Sequence, residues 1–239
     1  KGLAHSLINH RLSLSLTAEQ NRQFNPVRFV DSSGKTILAL PARSAQQHYV
    51  NNDKPVLGKA YIRGTELINS PMGFTDKNQL SLTDFDGVIK RVIFPQLFSE
   101  NERFNLRPED RALVLRYMTM LPSESTNPHY DAAQYPDNYA KFFMFGGKAQ
   151  QTPEHIRLFS KSGWAYGHII DGAYIVDLQN QIEFFITAVI YANENDILND
   201  DLYQREQIGI PFLRQLGQYL YQYELQRPRK FTADLSEVT

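Results

Sequence analysis

An almost uninterrupted apolar segment at residues 182–192 constrains the fold of this chain more than any other feature. Both of its alternating sets of side chains are apolar apart from Glu183 and Thr187. A strand of this kind is covered on both faces of a sheet, so the segment is predicted to be a central strand between two layers of structure. Shorter strand patterns precede it at residues 156–159, which run into Lys161, and at residues 167–178.

A long amphipathic helix is predicted after these strands, from about Tyr203 to Gln226. Pro228 ends it, because proline cannot continue a helix. Three antiparallel strands followed by a helix laid across the sheet are typical of the α+β class, which is the predicted fold class. The residues expected on the apolar face of the helix are Phe212, Leu213, Leu216, Leu220 and Tyr223.

The first part of the chain is predicted to combine a hairpin with loops and two helices. The hairpin joins Val27–Val30 to Thr36–Leu40 through a turn that contains Gly34. We divide the chain into a hairpin, loop and helix region at residues 1–150 and a sheet region at residues 151–239, together one domain. The other predicted segments are mostly loop at 41–77, helices at 81–95 and 106–122, irregular chain at 123–137, a buried aromatic segment at 139–145 and an acidic connector at 193–201.

Composition excludes several classes of function. The 239 residues carry a formal net charge of −1, so no basic surface indicates nucleic acid as a partner. No apolar stretch reaches the length of a membrane span. The absence of cysteine excludes disulfides, thiolate metal sites and cysteine catalysis. The six histidines form no His-x-x-x-His pair, so neither a zinc site nor a cofactor is predicted.

The main candidate site is the tetrapeptide Lys161-Ser162-Gly163-Trp164, which follows the first of the three predicted strands. Flanking blocks accompany it at residues 11–16, 25–29, 143–146, 153–157, 170–177 and 188–195. With these blocks, and with its order of three strands and a helix, the chain resembles serine β-lactamases and penicillin-binding proteins. It is most similar to the class A β-lactamase-related serine hydrolases of Bacteroidetes-type bacteria.

The resemblance implies a β-lactamase- and transpeptidase-like fold that hydrolyses an amide or ester through an acyl-enzyme. It implies that Lys161 holds positive charge beside the nucleophile and the substrate carboxylate, and that the Ser162 hydroxyl donates to that carboxylate or relays a proton. Gly163 would let the substrate backbone pair closely with the strand edge, and the Trp164 backbone N–H would contribute to an oxyanion hole. The implied substrate is a small or peptide-like molecule, and the implied location is the periplasm or the bacterial envelope.

A nucleophile in the arrangement of this superfamily is missing from the sequence. The Ser-x-x-Lys motif Ser32-Ser33-Gly34-Lys35 falls in the predicted hairpin turn, whereas activation of the serine needs both side chains on one face of a helix. No Ser-Asp-Asn element is present. We therefore expect the chain to be the C-terminal portion of a longer protein, with the nucleophile upstream of Lys1. The sheet would then have an open apolar edge, through which a homo-oligomer can form.

A non-catalytic binding or interaction domain with the same fold is the alternative that the missing nucleophile leaves open. Glu66 and Glu124 are either bases for deacylation or solvated loop carboxylates. His155 and His168 flank the Lys-Ser-Gly strand and either line a cleft or occupy ordinary core and surface positions. An aromatic cluster is either a sugar or peptide platform or hydrophobic packing, and its members are Tyr130, Tyr135, Tyr139, Phe142, Phe143 and Phe145.

Overall fold

The computed structural model describes residues 1–11, 16–147 and 152–236. Most of the block at residues 11–16, and the predicted boundary between residues 150 and 151, lie outside the described residues. Within the described part, the helices are α1 (Leu82–Ile93), α2 (Pro108–Thr119) and α3 (Ile210–Gln226). A π-helical turn at Arg205–Gly209 precedes α3.

The strands are mostly short in the first third of the chain and long in the last third. Those before α1 are β1 (Ser6–Leu7), β2 (Gln23–Phe24), β3 (Val27–Val30), β4 (Thr36–Leu40), β5 (Arg43–Ser44), β6 (Val56–Leu57), β7 (Ala60–Arg63), β8 (Glu66–Ile68), β9 (Met72–Gly73) and β10 (Gln79–Leu80). Those after α2 are β11 (Ile156–Ala165), β12 (His168–Asp177), β13 (Ile182–Tyr191) and β14 (Ile197–Leu198).

The main sheet is antiparallel, with strand order β11-β12-β13. This confirms the three predicted strands and the mixed α and β content, but the prediction that residues 182–192 form the central strand is wrong within the described residues. The central strand is β12, which is buried throughout residues 171–177. β13 is apolar on both faces because α1 contacts one face and α3 the other, although its outer edge has no partner strand among the described residues.

Each face of the sheet packs against its own hydrophobic core. On the α3 face, Ile169, Ile175 and Ile186 pack against the aromatic segment at residues 142–145 and against Leu213 of the helix. On the α1 face, the core consists mainly of Phe85, Ile89, Val92, Ile93, Leu115, Phe159, Tyr174 and Val176. The predicted buried aromatic segment is therefore confirmed, and its phenylalanines are packing residues.

Two glycines allow this close packing. A Cβ atom on Gly172 of β12 would lie 2.5 Å from Ile89 Cδ1 and 2.7 Å from Phe85 Cε1, so α1 approaches the sheet closely only because residue 172 lacks a side chain. A Cβ atom on Gly217 of α3 would lie 2.7 Å from the backbone nitrogen of Met144. The second contact involves backbone, which cannot move aside as a side-chain end can.

The helix predictions are confirmed in position and corrected in detail. The Ser81 hydroxyl accepts a 3.0 Å hydrogen bond from the Asp84 N–H and caps the start of α1. α3 begins at Ile210, later than the predicted start at Tyr203, because the preceding turn has π-helical hydrogen bonding. Phe212 and Tyr223, expected on the buried face of this helix, are exposed. The reason is that the buried face of α3 is a narrow stripe of four residues, Ile210, Leu213, Arg214 and Gly217, and that Gly217 packs on the aromatic segment.

Two predicted loops contain strands. Residues 41–77 include β5 to β9, with β7 and β8 forming a hairpin. The predicted acidic connector contains β14, which pairs in parallel with β7. Strands of two to four residues carry no readable alternation, and the parallel pairing joins segments that are far apart in sequence, so neither feature has a local signal. The predicted β3–β4 hairpin is confirmed, and all of its strand residues are exposed.

Candidate functional site

The tetrapeptide from Lys161 to Trp164 lies in the second half of β11, at the edge of the main sheet. Lys161 is opposite Gly172 of β12, and Ser162 is opposite Asp171. No strand pairs with the outer side of β11 among the described residues. The predicted strand position of the candidate site is therefore confirmed, and the site occupies an open sheet edge.

Two hydrogen bonds establish which backbone groups point to this open edge. In an antiparallel pair, alternate residues use both their N–H and their C=O toward the partner strand. The Leu178 N–H donates to the His155 carbonyl at 2.8 Å, so the odd-numbered residues of β11 are bonded to β12. The Leu158 carbonyl, in contrast, accepts from the Lys141 ammonium at 3.0 Å. The N–H and C=O groups of Ser162 and Trp164 therefore face outward.

The Lys161 ammonium lies at this outward edge. Its side chain is exposed, and its Nζ donates to the outward carbonyl of Ser162. It forms no ion pair with a carboxylate in the part of the chain that the structure describes. The Ser162 hydroxyl likewise has no hydrogen-bond partner among these residues. An ammonium and a hydroxyl are thus both available to an external anion at one strand edge.

The absence of a side chain at Gly163 is not required by the protein's own packing. The nearest atom to a Cβ atom built there is Ile170 Cγ2 at 3.6 Å, an ordinary van der Waals distance. Its φ is not in the left-handed region, so the backbone does not require glycine either. This contrasts with Gly172 on β12, opposite Lys161, where a Cβ atom would overlap the core.

Trp164 connects the open edge to an aromatic surface. Its side chain is 46% exposed, and the guanidinium carbon of Arg205 lies 3.7 Å from its ring centroid, a cation–π contact. The ring centroid of Trp164 lies 6.3 Å from that of Tyr139. The Tyr139 and Tyr135 centroids are 5.1 Å apart, and those of Tyr135 and Tyr130 are 5.2 Å apart. The aromatic cluster therefore has two parts, because its phenylalanines are core residues and its tyrosines are at the surface.

A cleft of about 730 Å³ borders the end of β11. Residues 163–166, with Ile170 and Val189, form one wall, and the N-terminal region forms the other through residues 55–57 and 77–80. Its lining is largely apolar and includes no serine, threonine or cysteine among the described residues. The cleft therefore leaves open space beside Trp164, and Tyr166 supplies a phenolic hydroxyl to its described lining, which has no serine, threonine or cysteine.

Two buried charged residues behind β11 were missed by the sequence reasoning. Asp171 has no solvent exposure, and its Oδ2 accepts from the backbone N–H groups of Phe142 at 2.9 Å and Phe143 at 3.4 Å. Lys141 is almost fully buried, and its Nζ donates to the carbonyls of Leu158 and Met118. Their signal in the sequence is a single charge within or next to an apolar run, which is unusual for a surface residue.

Burial shifts the pKa of both groups toward the neutral form. It raises the pKa of Asp171 from 3.8 to about 7, against the opposing effect of the Phe142 and Phe143 N–H groups and of Lys141. It lowers the pKa of Lys141 from 10.5 to about 8, although Asp171 and Glu124 favour its charged form. Asp171 of β12 thus anchors the backbone of Phe142, and Lys141 bonds the same segment to the outer edge of β11 at Leu158.

Replacement of Asp171 with asparagine tests this burial. The folded state holds the Asp171 proton up to pH about 7, whereas the unfolded chain loses it near pH 4, so the wild type is destabilised progressively as the pH rises from about 4 to 7. Asp171→Asn has no such titration. The free energy of unfolding of the variant minus that of the wild type should therefore increase by roughly 4 kcal/mol over this pH range. Urea denaturation at several pH values measures it. A difference that is constant with pH would contradict the assignment.

Of the other predicted candidates, His168 alone belongs to the described lining of the cleft at the end of β11. Ser32 and Lys35 lie in the exposed turn of the β3–β4 hairpin, as predicted, and are not on a helix. The Glu124 carboxylate accepts from the Leu121 N–H at 2.8 Å and caps a short turn, and Glu66 is exposed in β8. His168 lines the cleft and packs against Tyr191, and burial lowers its pKa. Among the described residues no cluster of acidic and histidine side chains could hold a metal ion.

Comparisons with protein-family models, with curated proteins and with solved structures found no match for this chain. Within the described residues, no helix is both long and apolar enough to cross a membrane.

Proposed function

We propose that this chain supplies the substrate-binding strand of a serine hydrolase of the β-lactamase-related type, which hydrolyses an amide or ester through an acyl-enzyme. The observation that supports the proposal is the open edge of β11. There the Lys161 ammonium, which has no carboxylate partner among the described residues, and the Ser162 hydroxyl lie beside outward backbone groups. A peptide-like substrate would add to this edge as an extra strand, with its carboxylate at Lys161.

The spacing along β11 suggests the form of the substrate. The outward groups of Ser162 and Trp164 are two residues apart, about 6.5 Å along the strand. A carboxylate at Lys161 and Ser162 therefore places a carbonyl oxygen at the Trp164 N–H when about one amino-acid residue separates the two groups. Trp164 would act there as one donor of an oxyanion hole. The substrate class that fits is a peptide-like amide or ester with a free carboxylate close to the scissile bond.

The nucleophile, in this proposal, comes from a segment outside the given sequence. The cleft beside Trp164 has no serine in its described lining, and the Ser-x-x-Lys turn is in an exposed hairpin. The resemblance to β-lactamase-related hydrolases suggests a serine on a helix and a location in the periplasm or envelope. An exposed sheet edge would also suit contact with such a segment or with a second copy of the chain.

A non-catalytic binding domain is the second candidate, and the same cleft favours it. An open strand edge whose ammonium has no carboxylate partner among the described residues can bind a carboxylate ligand whether or not a nucleophile is present. The two functions differ only in whether the bound acyl group is transferred to a serine.

Labelling of the longest natural form of the protein with a fluorescent penicillin tests the proposal, with Gly163→Ala as the informative variant. Wild type should form a covalent adduct. Gly163→Ala should fold with unchanged stability, because its methyl group meets only Ile170 at a normal distance. Its labelling rate should fall about tenfold, because Gly163 lines the cleft and the added methyl group would displace a ligand bound there. Gly73→Ala, a strand glycine with open space around it, is the matched control and should label normally. Failure of the folded wild type to label would leave the binding domain as the better proposal.

A further inference from the structure

A small recess continues the open edge of β11 on the side away from the cleft. It has a volume of about 190 Å³. The cleft borders residues 163–166 of this strand, whereas the recess borders Ser160, Lys161 and Ser162. Its opposite wall is formed by α2 and the segment that follows it, through Tyr117, Met120, Pro122, Asp137, Ala140 and Lys141.

Ser160 brings an unsatisfied hydroxyl to this recess. Its side chain is only 7% exposed, and its Oγ is buried without a hydrogen-bond partner. A buried polar group of this kind destabilises a protein by about 1–3 kcal/mol unless something binds it. The alternation along β11 also directs the backbone N–H of Ser160 outward, since Leu158 and Ser162 face the same way. Ser160 thus brings two potential donors to the lining of the recess.

Lys141 adds a buried cation to the same wall. Its side chain is 6% exposed, and two of its three ammonium hydrogens are used by the carbonyls of Leu158 and Met118. Neither acceptor is charged, and no carboxylate lies within ion-pair distance of this ammonium in the described part of the chain. The Asp137 carboxylate in the recess is directed to the Ser123 N–H, at 3.0 Å. The lining of the recess therefore holds two lysines and one aspartate, while the carboxylates of Asp171 and Glu124, outside the lining, act on the Lys141 ammonium from further away.

We infer that the recess binds a second anionic group of the ligand, a carboxylate, held by the Lys141 ammonium and the Ser160 hydroxyl. The inference rests on the proposed function, since it places the first carboxylate at Lys161. Residues 160 and 162 are about 6.5 Å apart along the strand. The two carboxylates of one acidic amino-acid residue can span that distance. The substrate class is thereby narrowed to peptide-like molecules that end in an acidic residue.

A matched pair of peptides tests the inference. The probes are N-acetyl-glycyl-glutamate and N-acetyl-glycyl-glutamine, each in the L and D form, and the dissociation constants are measured by calorimetry with the full chain at pH 7. In at least one of the two series the glutamate peptide should bind about tenfold more tightly, the effect of one charge-assisted hydrogen-bonded contact. The preference should disappear in Lys141→Met and shrink to about threefold or less in Ser160→Ala.

Ser160→Ala is the safer variant for the fold, because it removes a hydroxyl that has no partner, whereas Lys141→Met also removes two hydrogen bonds to carbonyls. Equal affinity for the glutamate and glutamine peptides in both series, with binding of both lost in Lys161→Met, would overturn the second site and leave the proposed function intact. A preference for glutamate that persists in both recess variants would also overturn it. Absence of binding by every peptide, or binding that is indifferent to Lys161→Met, would overturn the proposed function and this inference together.

Discussion

Lys161→Met will weaken the binding of a carboxylate ligand by about thirtyfold or more, because losing one partner of a charge pair that the bound ligand buries typically costs 2–5 kcal/mol. The Lys161 ammonium has no carboxylate partner in the described protein, so an anion at the open edge of β11 would be its principal one. The same change should leave the free energy of unfolding within about 0.5 kcal/mol of the wild-type value, since the side chain is exposed. Binding of benzylpenicillin by calorimetry and urea denaturation measure the two effects separately.

Lys35→Met is the matched control for this substitution. Lys35 is also exposed, and it belongs to the Ser-x-x-Lys turn of the β3–β4 hairpin. Ligand binding and penicillin labelling should both be unaffected by its replacement. If Lys35→Met abolished labelling and Lys161→Met did not, the hairpin turn would be the reactive site, and the proposed role of the Lys-Ser-Gly strand would be wrong.

Gly217→Val will destabilise the fold by more than about 3 kcal/mol, since overpacking against rigid structure exceeds the usual range for core substitutions. A Cβ atom at this position would lie 2.7 Å from the Met144 backbone nitrogen and 3.0 Å from Phe143 Cβ, so α3 could not dock on the aromatic segment. Replacement of a helical glycine by a residue of better helix propensity gains less than about 1 kcal/mol, which is too little to compensate. The melting temperature and the urea midpoint should both fall sharply.

Gly73→Val provides the comparison for Gly217→Val. A Cβ atom on Gly73 meets no atom within 4 Å, so this glycine has no packing role. Its replacement should change the free energy of unfolding by less than about 0.5 kcal/mol. Equal stability of the two variants would show that α3 does not rest on the segment at residues 142–145.

The parts of the fold that were predictable are those with a periodic pattern. β11, β12 and β13 follow the strand patterns, α1 starts at its capping serine, and the aromatic segment is buried. The pairing of β14 with β7 was not predictable, because each segment is short and they are far apart in the chain. The position of β13 at a sheet edge was missed for a different reason. Its side chains are apolar on both faces because helices cover both faces of the sheet. That burial does not depend on whether a further strand pairs with its edge.

The candidate site was likewise predictable only in part. The sequence places Lys161 to Trp164 on a strand, and the structure does so too. It does not indicate which backbone groups face outward, because that depends on how β11 pairs with β12 and on the Lys141 contact. Asp171 and Lys141 were overlooked because a charged residue is usually at the surface, and only the tertiary structure shows that both are buried.

Amide hydrogen exchange along β11 tests most directly the central claim, that the outward edge of the Lys-Ser-Gly strand is a ligand-binding edge. In the free chain, the amides of Ser162 and Trp164 should exchange rapidly, whereas those of Lys161 and Gly163 should be protected by their hydrogen bonds to β12. Saturating benzylpenicillin should slow the two outward amides at least about tenfold and leave the two inward amides unchanged. Protection of Ser162 and Trp164 in the free chain, or no change in their exchange on saturation, would contradict the account.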